Sequence, residues 1–193
     1  MITRPKKNQP ATRDVPAAAD PDIMRRLACG ESAALGELYD RYQRPIRRFI
    51  ARATSDAHDV DDLVQATFLA AAKSAGRYDG RASCRPWLSG IAAQLLRRRR
   101  QAFGRFVSVL SSLTSARAAA VDPRPALHAH CDVERALLRI SETKRITFLL
   151  AEVEQLSCAE IAVVSGVPIG TVWTRLHAAR RELRRVLEEG NES

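Results

Sequence analysis

Apolar residues recur at three- and four-residue steps through most of the chain, the period of one buried helix face. Leu35, Leu38, Tyr39, Tyr42, Ile46, Phe49 and Ile50 form the first such stripe. Pro45 sits inside it and predicts a kink or a short break. The acidic run 56–62 predicts the start of a second helix, because negative side chains suit the positive end of the helix dipole. Val60, Leu63, Val64, Thr67, Phe68 and Ala71 make its apolar side. Gly76 and Asp79-Gly80 mark a loop. Pro86 suits the first turn of a third helix, with Trp87, Leu88, Ile91, Leu95 and Leu96 inward and Arg97 to Arg100 at its end.

The second half repeats the pattern in shorter pieces. Leu137, Leu138 and Ile140 mark one helix; Ile146, Phe148, Leu149, Leu150 and Val153 mark another. Ser157-Cys-Ala-Glu160 is a capping box, in which each side chain satisfies the other's orphan backbone N–H. The helix it starts runs to Gly166, which can take the positive φ of a sharp turn. Pro168 opens a last helix carrying Val172, Leu176, Ala179, Leu183 and Leu187. No stretch alternates as a strand does. The expected fold is all-α, with two small helical domains joined by a flexible linker and a helix-turn-helix in the C-terminal one. The boundaries expected are a disordered proline-rich tail at 1–22, a first domain at 23–104, a linker at 105–131 and a second domain at 132–193. The linker is more apolar than most, with Phe106, Val107, Val109, Leu110 and Leu113.

Charge sharpens this picture. The chain of 193 residues carries a formal net charge of +9, with 27 arginines against four lysines. An excess of arginine suits phosphate and base-edge contacts, and so a polyanionic partner. Between Asp79 and Asp122 there is no acidic residue, while Arg81, Arg85, Arg97, Arg98, Arg99, Arg100, Arg105 and Arg117 all fall there. Such a run repels itself unless a polyanion neutralises it, which favours nucleic acid over a merely solvated face. No apolar stretch reaches the length of a membrane span and no signal peptide is evident, so a cytoplasmic protein without membrane insertion is expected. The four scattered cysteines form neither a disulfide framework nor a zinc pattern.

The helix-turn-helix pattern places Trp173, Thr174, Arg175 and His177 near the leading end of the helix that would enter a major groove. Arg180, Arg181, Arg184 and Arg185 follow as candidate phosphate contacts. The plainer alternatives are a core position for Trp173 and an ordinary surface position for His177. The cluster Asp56, Asp59, Asp61 and Asp62 lacks the spacing of a calcium loop and fits a basic protein partner better than a metal. His128, His130 and Cys131 are a small potential ligand set, more simply read as a linker accident. No Gly-rich phosphate loop, nucleophile elbow or paired histidine appears, so no enzyme, cofactor or small-molecule substrate is expected.

Two blocks of residues carry a resemblance. Asp59-Val-Asp-Asp-Leu-Val-Gln-Ala-Thr-Phe68, Tyr78-Asp-Gly-Arg-Ala-Ser83, Pro86-Trp-Leu88 and Ile91-Ala-Ala-Gln94 resemble the second domain of bacterial RNA polymerase sigma factors. Leu156-Ser-Cys-Ala-Glu-Ile-Ala162, Gly166-Val-Pro-Ile-Gly-Thr-Val172 and Arg175-Leu-His-Ala-Ala-Arg180 resemble the fourth. The chain is similar to the compact extracytoplasmic-function (ECF) group, which has only these two domains. The resemblance implies core-polymerase docking by Asp59, Asp62 and Gln65. It implies capture of the opened −10 strand by Gly80, Arg81, Ala82, Ser83 and Gln94, with Arg97, Arg98, Arg99 and Arg100 on phosphates. It implies −35 reading by Thr171, Trp173, Thr174, Arg175 and His177, with Arg180 and Arg181 beside them. It also implies an anti-sigma factor as a partner. Ala66 stands where the family usually has Glu, and Trp173 where Arg or Lys is common. The alternatives from other classes are a stand-alone helix-turn-helix regulator, a helical module binding acidic proteins, and a metal-dependent nuclease built on the acidic cluster.

Overall fold

The computed structural model describes residues 19–80, 83–114 and 132–191. Every regular element among them is helical. In chain order these are α1 (Asp20–Ala28), α2 (Ser32–Ala53), α3 (Val60–Ser74), α4 (Arg85–Thr114), α5 (Asp132–Arg139), α6 (Glu142–Glu152), α7 (Cys158–Ser165) and α8 (Ile169–Asn191). Single 3-10 turns at Ala57–Asp59 and Ala75–Arg77 lead into and out of α3.

The apolar stripes read from the sequence are the buried faces. Leu38, Ile46, Phe49 and Ile50 of α2 meet Leu63, Val64 and Phe68 of α3 and Leu88, Ala92 and Leu96 of α4. In the second group Ile146, Leu149 and Leu150 of α6 pack with Val172, Ala179 and Leu183 of α8, and Ile161 joins them from α7. Each fully buried side chain of this size contributes about 1.5–3 kcal/mol.

Three expectations change. Helix α2 continues through Pro45 without a break. The proline removes only the bond to the Arg41 carbonyl one turn earlier, and the packed faces on both sides carry the helix across. The last three residues of the stretch read as a tail, 20–22, already form the first turn of α1, which continues into the first domain with Ile23, Met24 and Leu27 buried. Helix α4 continues to Thr114, ten residues past the expected domain boundary. The Ser and Thr there suggest a linker by composition, yet none of them breaks a helix. The rest of the expected linker and tail, with His128, His130 and Cys131, lies outside the described residues.

The two groups pack on one another along a seam. Helix α4 lies against α6 and α7, and α2 against α5 and α6. Gly90 permits a close approach of α4 and α7, since a β-carbon there would sit 3.2 Å from Val164. Arg145 of α6 is 1% exposed and crosses the seam. It donates through Nε to the Ala53 carbonyl at 2.9 Å, through Nη2 to Ser55 Oγ at 3.0 Å and through Nη1 to the Leu137 carbonyl at 3.3 Å. The C-terminus of α2 is the negative end of its dipole, which suits a buried cation. Arg85 and Glu154, whose side chain is 1% exposed, form a second bridge at 2.9 Å.

Candidate nucleic-acid interface

The helix-turn-helix is built by local chemistry. Ser157 N–H donates to Glu160 Oε2 at 2.7 Å, and Glu160 N–H donates back to Ser157 Oγ at 3.3 Å. The box fixes where α7 begins. Gly166 ends it at φ 58°, a left-handed conformation, and its N–H bonds back to the helix. Helix α8 then presents Val172, Leu176, Ala179, Leu183 and Val186 inward.

That register decides which side chains α8 offers to solvent. Trp173 is 59% exposed, so it is not the core residue of the plainer alternative. Thr174, His177 and Arg181 are exposed on the same side, followed by Arg184 and Arg185. Thr171 and Arg175 are half-buried at its flanks. Arg180 turns away and pairs with Glu152 of α6 at 2.6 Å.

Helix α3 presents a different face. Asp62 and Gln65 are exposed, and one turn on stands Leu69, 55% exposed. Leu69 is missed by the motif reading, although its spacing of seven from Asp62 puts it on the same face. Ala66 is half-buried beside this face. Asp59 is half-buried and forms an ion pair with Arg99, which also lies 3.6 Å from Asp56. Asp61 pairs with Arg47, and Asp56 accepts from the His58 N–H at 3.1 Å. Asp56 and Asp59 thus share Arg99 while Asp61 turns to Arg47, and among the described residues no group of His, Cys, Asp and Glu gathers as a metal site.

The residues expected to hold an opened strand are placed unevenly. Gly80 has φ 76° and Ser83 is exposed, while Arg81 and Ala82 lie outside the described residues. Behind the loop, the rings of Tyr78 and Trp87 meet edge to face at 5.4 Å. Cys84 is fully buried, and burial pushes its thiol up to about 12, so it is chemically inert at neutral pH. Gln94 lines a cavity with Asp79, Trp87 and Ile91, walled on the far side by Ala159 and Val163 of α7. Arg97 donates through Nη1 to the Ser165 carbonyl at 2.8 Å, in the turn of the helix-turn-helix. Arg98, Arg99 and Arg100 are exposed; Arg99 and Arg100 border a second seam cavity with Thr54, Phe103 and Glu142. Burial raises the Glu142 carboxyl above its usual range despite Arg100, Arg145 and Arg99 nearby.

One surface escapes motif reading altogether. A groove of about 930 Å³ runs between α5, α6 and α8, with Phe148, Leu183 and Leu187 among its walls and Arg135, Arg139 and Arg184 along it. Its residues come from three helices, so no single periodic segment announces it.

Comparison with known proteins adds to this geometry. Residues 38–105 match Sigma-70 region 2, and residues 132–183 match Sigma-70, region 4. The chain is 32% identical over 169 residues to RNA polymerase sigma factor CarQ of Myxococcus xanthus, covering 86% of this chain and 96% of that one. It is 30% identical over 166 residues to ECF RNA polymerase sigma factor SigL of Mycobacterium tuberculosis, covering 84% and 93%. The fold is shared with the sigma factor RpoE of Bartonella quintana, solved in complex with the anti-sigma factor NepR. The TM-score is 0.59 at 23% identity, over 79% of this chain and 96% of that one.

Proposed function

Since the chain belongs to the ECF group of the sigma-70 family of RNA polymerase sigma factors, we propose that it binds core polymerase, carries it to −10 and −35 promoter elements and helps open the duplex. The observation that carries this reading is the outward face of α8, where Trp173, Thr174, His177 and Arg181 stand exposed on a helix fixed by a capped turn. A helix so presented fits a major groove, with its leading residues on base edges and the later arginines on phosphates. Asp59, Asp62 and Gln65 dock on core polymerase, with Leu69 as the apolar centre of that face. Negative charge on α3 suits a basic partner and steers the encounter.

Opening needs no nucleotide hydrolysis and no catalytic group. Gly80 to Ser83 and Gln94 take the separated strand, and Arg98 to Arg100 neutralise its phosphates, so binding energy holds the melted state. Helix α7 walls the cavity that Gln94 lines, and Arg97 is engaged at the turn before α8. Strand capture therefore requires the seam to part. The work takes place in the cytoplasm; among the described residues no helix is long and apolar enough to cross a membrane. An anti-sigma factor is the expected regulator. The apolar groove with Arg135, Arg139 and Arg184 suits an acidic amphipathic helix of such a partner.

The test is run-off transcription with pure protein, bacterial core polymerase and fragmented genomic DNA of the host. Discrete starts sharing a two-part upstream motif are the expected result. No starts and no co-elution with core would move the reading to a stand-alone helix-turn-helix regulator.

A further inference from the structure

Asp20 has no part in the function described so far. It precedes the residues that match Sigma-70 region 2, in a proline-rich stretch, yet it is only 5% exposed. Three donors converge on its carboxylate. Arg41 Nη1 donates to Oδ1 at 2.6 Å, the Tyr42 hydroxyl donates to Oδ2, and the Cys84 N–H donates to Oδ2 at 2.7 Å. Two donors belong to α2. The third is the residue just ahead of α4, where the loop from Gly80 ends. The Tyr42 hydroxyl also lies 3.4 Å from Ser83 Oγ, which accepts from the Arg85 N–H at 3.3 Å.

An acid in the first turn of α1 suits the helix dipole. That role asks for no burial and no tertiary partners. A carboxylate accepts only, so it can take a guanidinium, a hydroxyl and a backbone N–H together; an asparagine would turn a donor toward one of them. Burial by itself would raise the Asp20 carboxyl, but its hydrogen bonds from Tyr42, Cys84 and Arg41 outweigh it and hold the group below the usual carboxylate range. Asp20 is thus ionised at neutral pH.

We propose that Asp20 is a positioning residue for the strand-reading loop 80–84, fixing the end of that loop and the first turn of α4 against α2. This rests on the assignment of that loop to the −10 element. A recognition side chain displaced by about 1 Å loses much of its effect, so the anchor of its loop controls discrimination without touching DNA.

The experiment uses the full chain reconstituted with core polymerase on a promoter found by run-off mapping. Run-off yield is compared between the native template and templates with one −10 or one −35 base changed. Asp20→Asn should lower −10 discrimination about tenfold, the scale of one lost charge-assisted hydrogen bond. Discrimination at −35 and affinity for core should stay unchanged. Tyr42→Phe, which removes only the hydroxyl, should shift −10 discrimination in the same direction by less and keep the thermal midpoint. Unchanged −10 discrimination in both variants would overturn the proposal. So would a parallel fall in −10 discrimination, −35 discrimination and core affinity, which marks general destabilisation. Absence of any core-dependent start with the native chain would instead overturn the sigma reading, and this inference with it.

Discussion

Neighbouring side chains on α8 live in different surroundings: Trp173 stands well out, while Arg175 is half-buried at the flank. Arg175→Ala should lower discrimination among −35 sequences by about 1–3 kcal/mol, measured by competition binding on singly substituted duplexes. An equal loss on every sequence would make it a phosphate contact. Asp62 is exposed, so Asp62→Arg should leave the thermal midpoint within the change of about 0.5 kcal/mol usual for surface positions. It should abolish co-elution with core polymerase. Glu142 gives a pH test. Its folded-state pKa is raised above the ordinary 4.5, so the neutral form is favoured by folding. That stabilisation is full below pH 4.5 and is lost as pH rises through the folded pKa. Glu142→Gln should flatten this loss in melts recorded across pH. None of these environments is readable from single residues. The sequence marks Trp173 as a position, and tertiary packing decides that it is wet while Glu142 is partly desolvated.

At the level of elements, legibility followed local chemistry. The start of α7 was visible in Ser157 and Glu160, and its stop in Gly166, because both signals act within a turn of the chain. Ser157→Ala should cost about 1 kcal/mol. Gly166→Ala should cost about 1–2 kcal/mol for the left-handed backbone, with a β-carbon also 3.0 Å from Arg97 Nη1. Denaturant melts of the two variants check both figures. Pro45 makes no break in α2 because packing on both sides of it carries the helix across. The last turns of α4 misled because composition was read where no breaking residue stood. Only the first turn of α1 is hidden, by the prolines around it: Asp20, Pro21 and Asp22 fall in the stretch expected as tail, while Ile23, Met24 and Leu27 have helical spacing.

The arrangement of the two groups was the least legible part. Arg145 on the Ala53 carbonyl, Arg85 on Glu154 and Arg97 on the Ser165 carbonyl link positions 69 or more residues apart, except the last at 68. A basic residue in a sequence does not say whether its counterpart is a phosphate or a distant carbonyl. The same holds for the acid Asp59, whose ion pair with Arg99 in the free chain no motif announces. Gly90→Leu should wedge α4 from α7 at the Val164 contact and raise the radius of gyration by small-angle scattering, with helix content by circular dichroism unchanged. A compact scattering profile for that variant would show that the seam tolerates the side chain.

The Arg97 contact has a thermodynamic consequence. The closed seam holds the Arg97 guanidinium on the Ser165 carbonyl and sets α7 across the cavity that Gln94 lines, so closure of the seam and capture of the strand compete for the same surface. Competition through a shared surface is reciprocal: the factor by which closure weakens strand affinity equals the factor by which strand weakens closure. A substitution that loosens the seam without touching any cation on the strand path, such as Gly90→Leu, should therefore strengthen single-strand binding. The gain should equal the shift in the open–closed equilibrium, while added salt should weaken strand binding of both proteins by the same factor as it screens the phosphates.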